Sequence, residues 1–302
     1  MAEEITSRLD VRSSLVSKVV NHSSIQQSLV QRFSVSEITT YRWSFFEDVL
    51  GCRMAGINAL GIWRPKLVEF GEERGIELVR DSGITVSSLG WAGGFTGLNG
   101  HSYIDSLDDA FSALHLAANL DAQSLLVVSG ARAGHTMNHA REIFVEALQE
   151  MSGLAAEYNV SLAVQPMLPL FAHEWTFLTR LDDAIRMLDA CDHPQVQLAF
   201  DVYHLWNTPH LFKRIEEIAE RTAIVQISDS VLSPRSAYER KLPGAGVIPI
   251  AEIIQAFEEA GFQGHYEANI WSEDLWKTDY DTLLGNCRQS FRHLCEPSRA
   301  IV

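Results

Sequence analysis

The stretch Gln197-Leu-Ala-Phe-Asp201-Val-Tyr-His204-Leu-Trp206 decides the reading of this chain. It opens as an apolar run short enough for a buried strand. It then delivers an acid and, three residues later, a histidine. An apolar strand that ends in a carboxylate and an imidazole is how a parallel α/β sheet presents chemistry at its C-terminal edge.

Working outward, the same alternation recurs along the chain. Strand-like runs are expected at 36–39, 58–63, 85–89, 124–128, 161–165, 197–201, 223–228 and 265–269. Helical runs are expected at 47–55, 67–81, 106–120, 140–158, 182–189, 211–220, 251–260 and 280–295. Ser106 is read as the cap of the third helix, with Asp108 and Asp109 in its first turn. Strict strand–helix alternation calls for parallel strands with right-handed crossovers, and eight such units can close a barrel. The expected fold is therefore a (β/α)8 TIM barrel in one domain. Residues 1–33 are read as an N-terminal arm, 34–296 as the barrel and 297–302 as a tail. The glycine-rich stretch 90–100 lacks the spacing of a dinucleotide fingerprint, so no nucleotide cofactor is expected.

Composition narrows the partners. With 24 basic and 39 acidic residues the formal charge is −15. That disfavours nucleic-acid backbones and anionic membranes, while leaving room for a small anion beside a local arginine. The cysteines, Cys52, Cys191, Cys287 and Cys295, form no CxxC pair. Reduced thiols, the acidic N-terminus and the lack of a run near the roughly 20 apolar residues of a membrane span point to a cytoplasmic protein. A homo-oligomer is compatible with the sequence.

The strand ends carry polar groups. They are Gln165 after strand five, Asp201 after strand six, Gln226 and Asp229 around strand seven, and Glu267 and Asn269 in strand eight. Arg240 precedes Pro243-Gly-Ala-Gly246, and Trp206, Trp271 and Trp276 belong to the same rim. Loop residues Arg132, His135, His173 and Glu174 are secondary candidates, with solvent exposure the plainer reading.

Five segments carry a resemblance: Gln165-Pro-Met-Leu-Pro169, Asp201-Val-Tyr-His204-Leu-Trp206, Gln226-Ile-Ser-Asp229, Arg240 to Pro249, and Gly264-His-Tyr-Glu-Ala-Asn269. Together they resemble the sugar-phosphate isomerase/epimerase family of xylose isomerase-like TIM barrels. The resemblance implies one divalent cation (Mn, Mg or Zn) held between four strand ends by Glu, Asp, His or Gln, and Glu. It also implies that the two glutamates move a proton between neighbouring substrate carbons. The matching metal positions here are Gln165, Asp201, Gln226 and Asn269, so both glutamates are amides. The resemblance further places His204 and Arg240 against substrate.

The departure has chemical consequences. Hard cations prefer anionic oxygen, and an amide cannot act as a general base at neutral pH. Two readings follow. One is a sugar, sugar-phosphate or keto-acid isomerase or epimerase with an altered site. Its catalytic candidates are Asp201, His204 and Glu267, the last reached by a shift of strand eight. Its substrate contacts are Gln165, His204, Trp206, Arg240, Asn269 and Trp271. The other is a sugar-binding protein that has lost metal and proton-shuttle chemistry.

Overall fold

The computed structural model describes residues 28–97, 100–232, 236 and 238–296. Of the expected arm and tail, residues 1–27 and 297–302 lie outside the described residues. Eight parallel strands close into a barrel in sequence order. They are β1 Phe33–Ser36, β2 Ala59–Trp63, β3 Thr85–Gly93, β4 Ser124–Val128, β5 Ser161–Val164, β6 Val196–Asp201, β7 Thr222–Ile227 and β8 His265–Ala268. Closure comes from β1 pairing with both β2 and β8.

After helical residues 28–31, the helices of at least four residues are α1 Phe45–Met54, α2 Arg64–Phe70, α3 Glu72–Ser82, α4 Tyr103–Asn119, α5 Met137–Tyr158, α6 Leu181–Cys191, α7 Val202–Leu205, α8 Leu211–Ile218, α9 Ile250–Glu259 and α10 Tyr280–Leu294. Three expectations need correction. The first strand lies three residues earlier than read, because Phe33 and Val35 supply the apolar outer face. The run at 67–81 is two helices, broken at Gly71 with φ 102°. The third helix starts earlier, because Ser102 and Asp105 form a reciprocal capping box and Ser106 falls inside the helix.

The outer faces of the strands and the inner faces of the helices share one extended apolar core. The barrel interior is layered differently. Leu126, Ala163, Ala199 and Ile224 form a small apolar cluster on the same faces as the residues two positions further on. Above it the register aligns Asp201 with Gln226, Gln226 with Glu267, and Glu267 with Ser34. A polar layer therefore lies across the barrel where such folds usually carry branched aliphatics. The four cysteines are free thiols. No helix among the described residues is long and apolar enough to cross a membrane.

Candidate functional site

Asp201 ends β6 and caps α7, accepting the Tyr203 N–H at 3.0 Å on Oδ1. Its other oxygen accepts from Arg240 Nη1 at 2.8 Å. The same nitrogen donates to Asn269 O at 3.1 Å and Ser228 Oγ at 3.3 Å. Nη2 lies 3.0 Å from His204 Nε2. Arg240 is only 2% exposed, and its guanidinium lies 4.3 Å from the Tyr203 ring centroid. A permanent cation thus sits among the ends of β6, β7 and β8, neutralised by the one carboxylate of the four expected ligand positions.

The backbone explains how Arg240 gets there. Asp229 follows β7, and its carboxylate accepts from the backbone N–H groups of Ser230, Gly244, Gly246 and Ile248 at 2.8 to 3.1 Å. A side chain on Gly246 would collide with that carboxylate, which accounts for the glycine. Asp229 and Lys241 exchange backbone bonds of 2.9 and 2.8 Å, and the Arg240 N–H donates to Trp271 O. The loop is clamped at its return, and Arg240 extends from the clamp into the barrel.

The remaining polar groups form a chain. Trp91 Nε1 donates to Gln165 Oε1 at 3.0 Å, Gln165 Nε2 to Gln226 Oε1 at 2.8 Å, and Gln226 Nε2 to Glu267 Oε1 at 2.8 Å. Glu267 Oε2 accepts from Ser87 and Ser88 at 2.8 and 2.7 Å. Glu267 is fully buried, and desolvation holds its carboxyl above the usual range against these hydrogen bonds. Gly61 leaves it room, since a Cβ there would come within 2.2 Å of Oε2. The Asn269 side chain turns aside and accepts from Trp271 Nε1 at 3.0 Å.

His204 lies under the surface, 3.6 Å from Asp201 Oδ2. Burial drives its imidazole down to about 3, with Arg240 adding to the effect and Asp201 opposing it. Both ring nitrogens face N–H groups, Arg240 Nη2 at one and the Leu168 amide at the other, which disfavours an imidazolium. A neutral ring accepts at one of these nitrogens and carries its proton on the other.

These residues do not fit a divalent cation. Asp201 is neutralised by Arg240, Gln165 and Gln226 are bonded to each other, and Asn269 is bonded to an indole. Among the described residues no three acidic, histidine or cysteine side chains are grouped to hold a metal. Glu267 approaches Gln226, but both of its oxygens already accept hydrogen bonds.

Above this floor lies a mouth pocket of about 340 Å³. Its wall is a train of aromatic rings. Trp63 meets Tyr41 at 5.6 Å, Tyr41 stacks on Trp276 at 4.8 Å, and Trp276 meets Tyr238 at 5.8 Å. Tyr238 then stacks on Trp271 at 6.0 Å, which packs edge-on to Trp91 and Trp175. Among the described residues, Glu273 is the one charged residue of the lining.

Trp271 and Trp276 thus lie on the rim as read from sequence, whereas Trp206 packs against the hydrophobic core. His173 and Glu174 are exposed and face each other at 3.5 Å, Arg132 is exposed, and His135 bonds the Thr96 carbonyl. Tyr41, Trp63, Trp91, Trp175 and Tyr238 escaped the sequence reading. Trp63 and Trp91 carried a signal, since each lies near the C-terminal end of a strand.

The comparisons agree with this architecture. A protein SMc04130 from Sinorhizobium meliloti 1021 is 28% identical, with a TM-score of 0.83 over 89% of this chain and 100% of its own. The IolI protein, solved with a binding zinc atom, is 16% identical with a TM-score of 0.76, covering 87% of this chain and 97% of that one. The 3-keto-D-glucoside 4-epimerase YcjR from E. coli is 15% identical with a TM-score of 0.71, covering 87% and 99%. A comparison with curated proteins gives no match. The model of the xylose isomerase-like TIM barrel family matches residues 52–294, and the chain belongs to that family.

Proposed function

We propose that the barrel mouth binds a small carbohydrate-like molecule without a divalent metal, the fixed cation at the strand ends being Arg240. The observation that carries this reading is the buried Arg240–Asp201 pair at 2.8 Å. It uses the carboxylate that a metal would need, and a second buried cation beside it would be repelled. The aromatic wall supports stacking on an apolar ligand face. The amides at 165 and 269 remove the two-base shuttle that the family resemblance implies.

The test is calorimetry with neutral, amino and acidic sugars in chelator and again with added Mn or Zn. Binding that is unchanged by chelator is expected. Binding that appears only on metal addition overturns the reading.

Glu267 favours a second, catalytic reading. It is a buried acid–base group whose carboxyl sits above its ordinary range. On this reading Glu267→Gln abolishes solvent-deuterium exchange into a bound ligand while leaving its affinity within about twofold. Absence of exchange in the wild-type protein removes the reading.

A further inference from the structure

We propose that the mouth selects a ligand bearing an ammonium group, and rejects phosphorylated and carboxylated sugars. This rests on the reading that the mouth binds a small molecule, and names its charge.

Among the described residues the lining is seven aromatic residues, Ile38 and Glu273. Among the described residues it contains no Lys, Arg or His. An aromatic face is electron-rich and attracts a cation held within about 6 Å of its centroid. Here the rings meet at varied angles, from 25° between Tyr238 and Trp271 to 84° between Trp175 and Trp271. The rings are therefore not coplanar, and a cation in the pocket would lie near several of them, as in cages for alkylated amines.

Three of the five indole donors of the lining reinforce the argument. Trp91, Trp271 and Trp276 direct their N–H groups to Gln165, Asn269 and the Ile38 carbonyl. The positive ends of those rings are committed to protein acceptors, and no longer serve an anionic ligand. Glu273 is held at the rim by its N–H, which donates to the Tyr238 carbonyl at 3.1 Å. Its carboxylate is a counter-charge for a cation and a repulsion for a phosphate.

Arg240 does not reverse the sign. It is neutralised by Asp201, its side chain is 3% exposed, and it lies outside the pocket lining. The formal charge of −15 adds a long-range field of the same preference.

Two sources supply this chemistry, an amino sugar and a quaternary alkylamine. Tryptophan fluorescence titration of the full chain separates them. The probes are choline and its uncharged carbon isostere 3,3-dimethylbutan-1-ol, glucosamine against glucose, and glucose 6-phosphate. We expect the cation of at least one pair to bind roughly tenfold more tightly than its neutral partner. The pair with the larger ratio identifies the source. Glu273→Gln should weaken the cation about threefold or more and lower the ratio of cation to neutral-partner affinity.

Equal or tighter binding of the neutral partners or of glucose 6-phosphate overturns the ammonium assignment and leaves mouth binding intact. No saturable response to any probe, with Trp91→Ala indistinguishable from wild type, overturns both.

Discussion

Two buried ion clusters lie near the same end of the barrel and are balanced differently. At the ends of β6–β8, Arg240 meets one carboxylate, Asp201, and a neutral His204. Beyond β1, Lys66 on α2 meets two, Asp48 at 2.6 Å and the neighbouring Glu37. Lys66 also donates to the carbonyls of Glu37 and Thr40 at 3.1 and 2.9 Å. The first cluster closes with one plus and one minus. The second has one acid too many. Burial, then Asp48, pushes the Glu37 carboxyl well above its ordinary range, with Lys66 opposing. Desolvation raises Asp48 to about 6 against the pull of Lys66. Glu37 Oε2 accepts the Trp63 N–H at 2.7 Å, while Oε1 has no hydrogen-bond donor among the described residues. A proton held on Oε1, which the raised carboxyl favours, would supply that bond toward Asp48. One site fixes charge, and the other favours taking up a proton.

The sharpest way to break this contrast is Arg240→Ala. It strands Asp201, which is 0% exposed, and should cost about 3–5 kcal/mol in urea denaturation. The pair Arg240→Met with Asp201→Asn should recover much of the loss, and a double-mutant cycle measures how much. Additive losses would mean that the pair is not coupled.

Lys66→Met should cost less, about 2 kcal/mol at neutral pH, because Asp48 can take up a proton instead of standing charged. The deficit should shrink as pH falls below about 6, where Asp48 is protonated in the fold. A deficit independent of pH from 5 to 8 would break the distinction between the clusters.

Glu37→Gln should be smaller still, within about 1 kcal/mol at pH 7, since the amide imitates a protonated acid. The sign follows from linkage. A folded pKa above the unfolded one contributes stability that is full below the ordinary carboxylate range and is lost as pH rises through the folded value. The variant should therefore lose less stability than wild type as pH rises above the ordinary carboxylate range, leaving only the Asp48 contribution.

The smallest signal is that of His204. With its folded value near 3 and an ordinary value of 6.5, its contribution is present above 6.5 and declines as pH falls toward 3. Its imidazole proton shifts should stay flat from pH 8 to 5, and a midpoint in that range would contradict the neutral ring.

Much of the frame was legible because strands and helices repeat short, local signals. Asp201-Val-Tyr-His204 carries its own geometry, since an acid at a strand end caps the turn that follows. What the sequence hid was non-local. Nothing in residues 240–249 says whether Arg240 points to solvent or into the barrel; Asp229, eleven positions earlier, decides it by gathering the loop amides. The aromatic wall draws on segments 41–63, 91, 175, 238 and 271–276, so no window of sequence contains it. Glu37 escaped because it fell inside the run read as the first strand, 36–39, where one carboxylate carries no sign of the α1 and α2 side chains that bury it.

The Asp229 clamp has an engineering corollary. Because the segment leaving β7 is secured at 229–230 and again at 240–248, where Arg240 is fixed in the barrel, the Tyr238 side chain just before the second foot is the exchangeable part. Substituting it would retune the mouth while leaving the strands and the Arg240–Asp201 pair untouched.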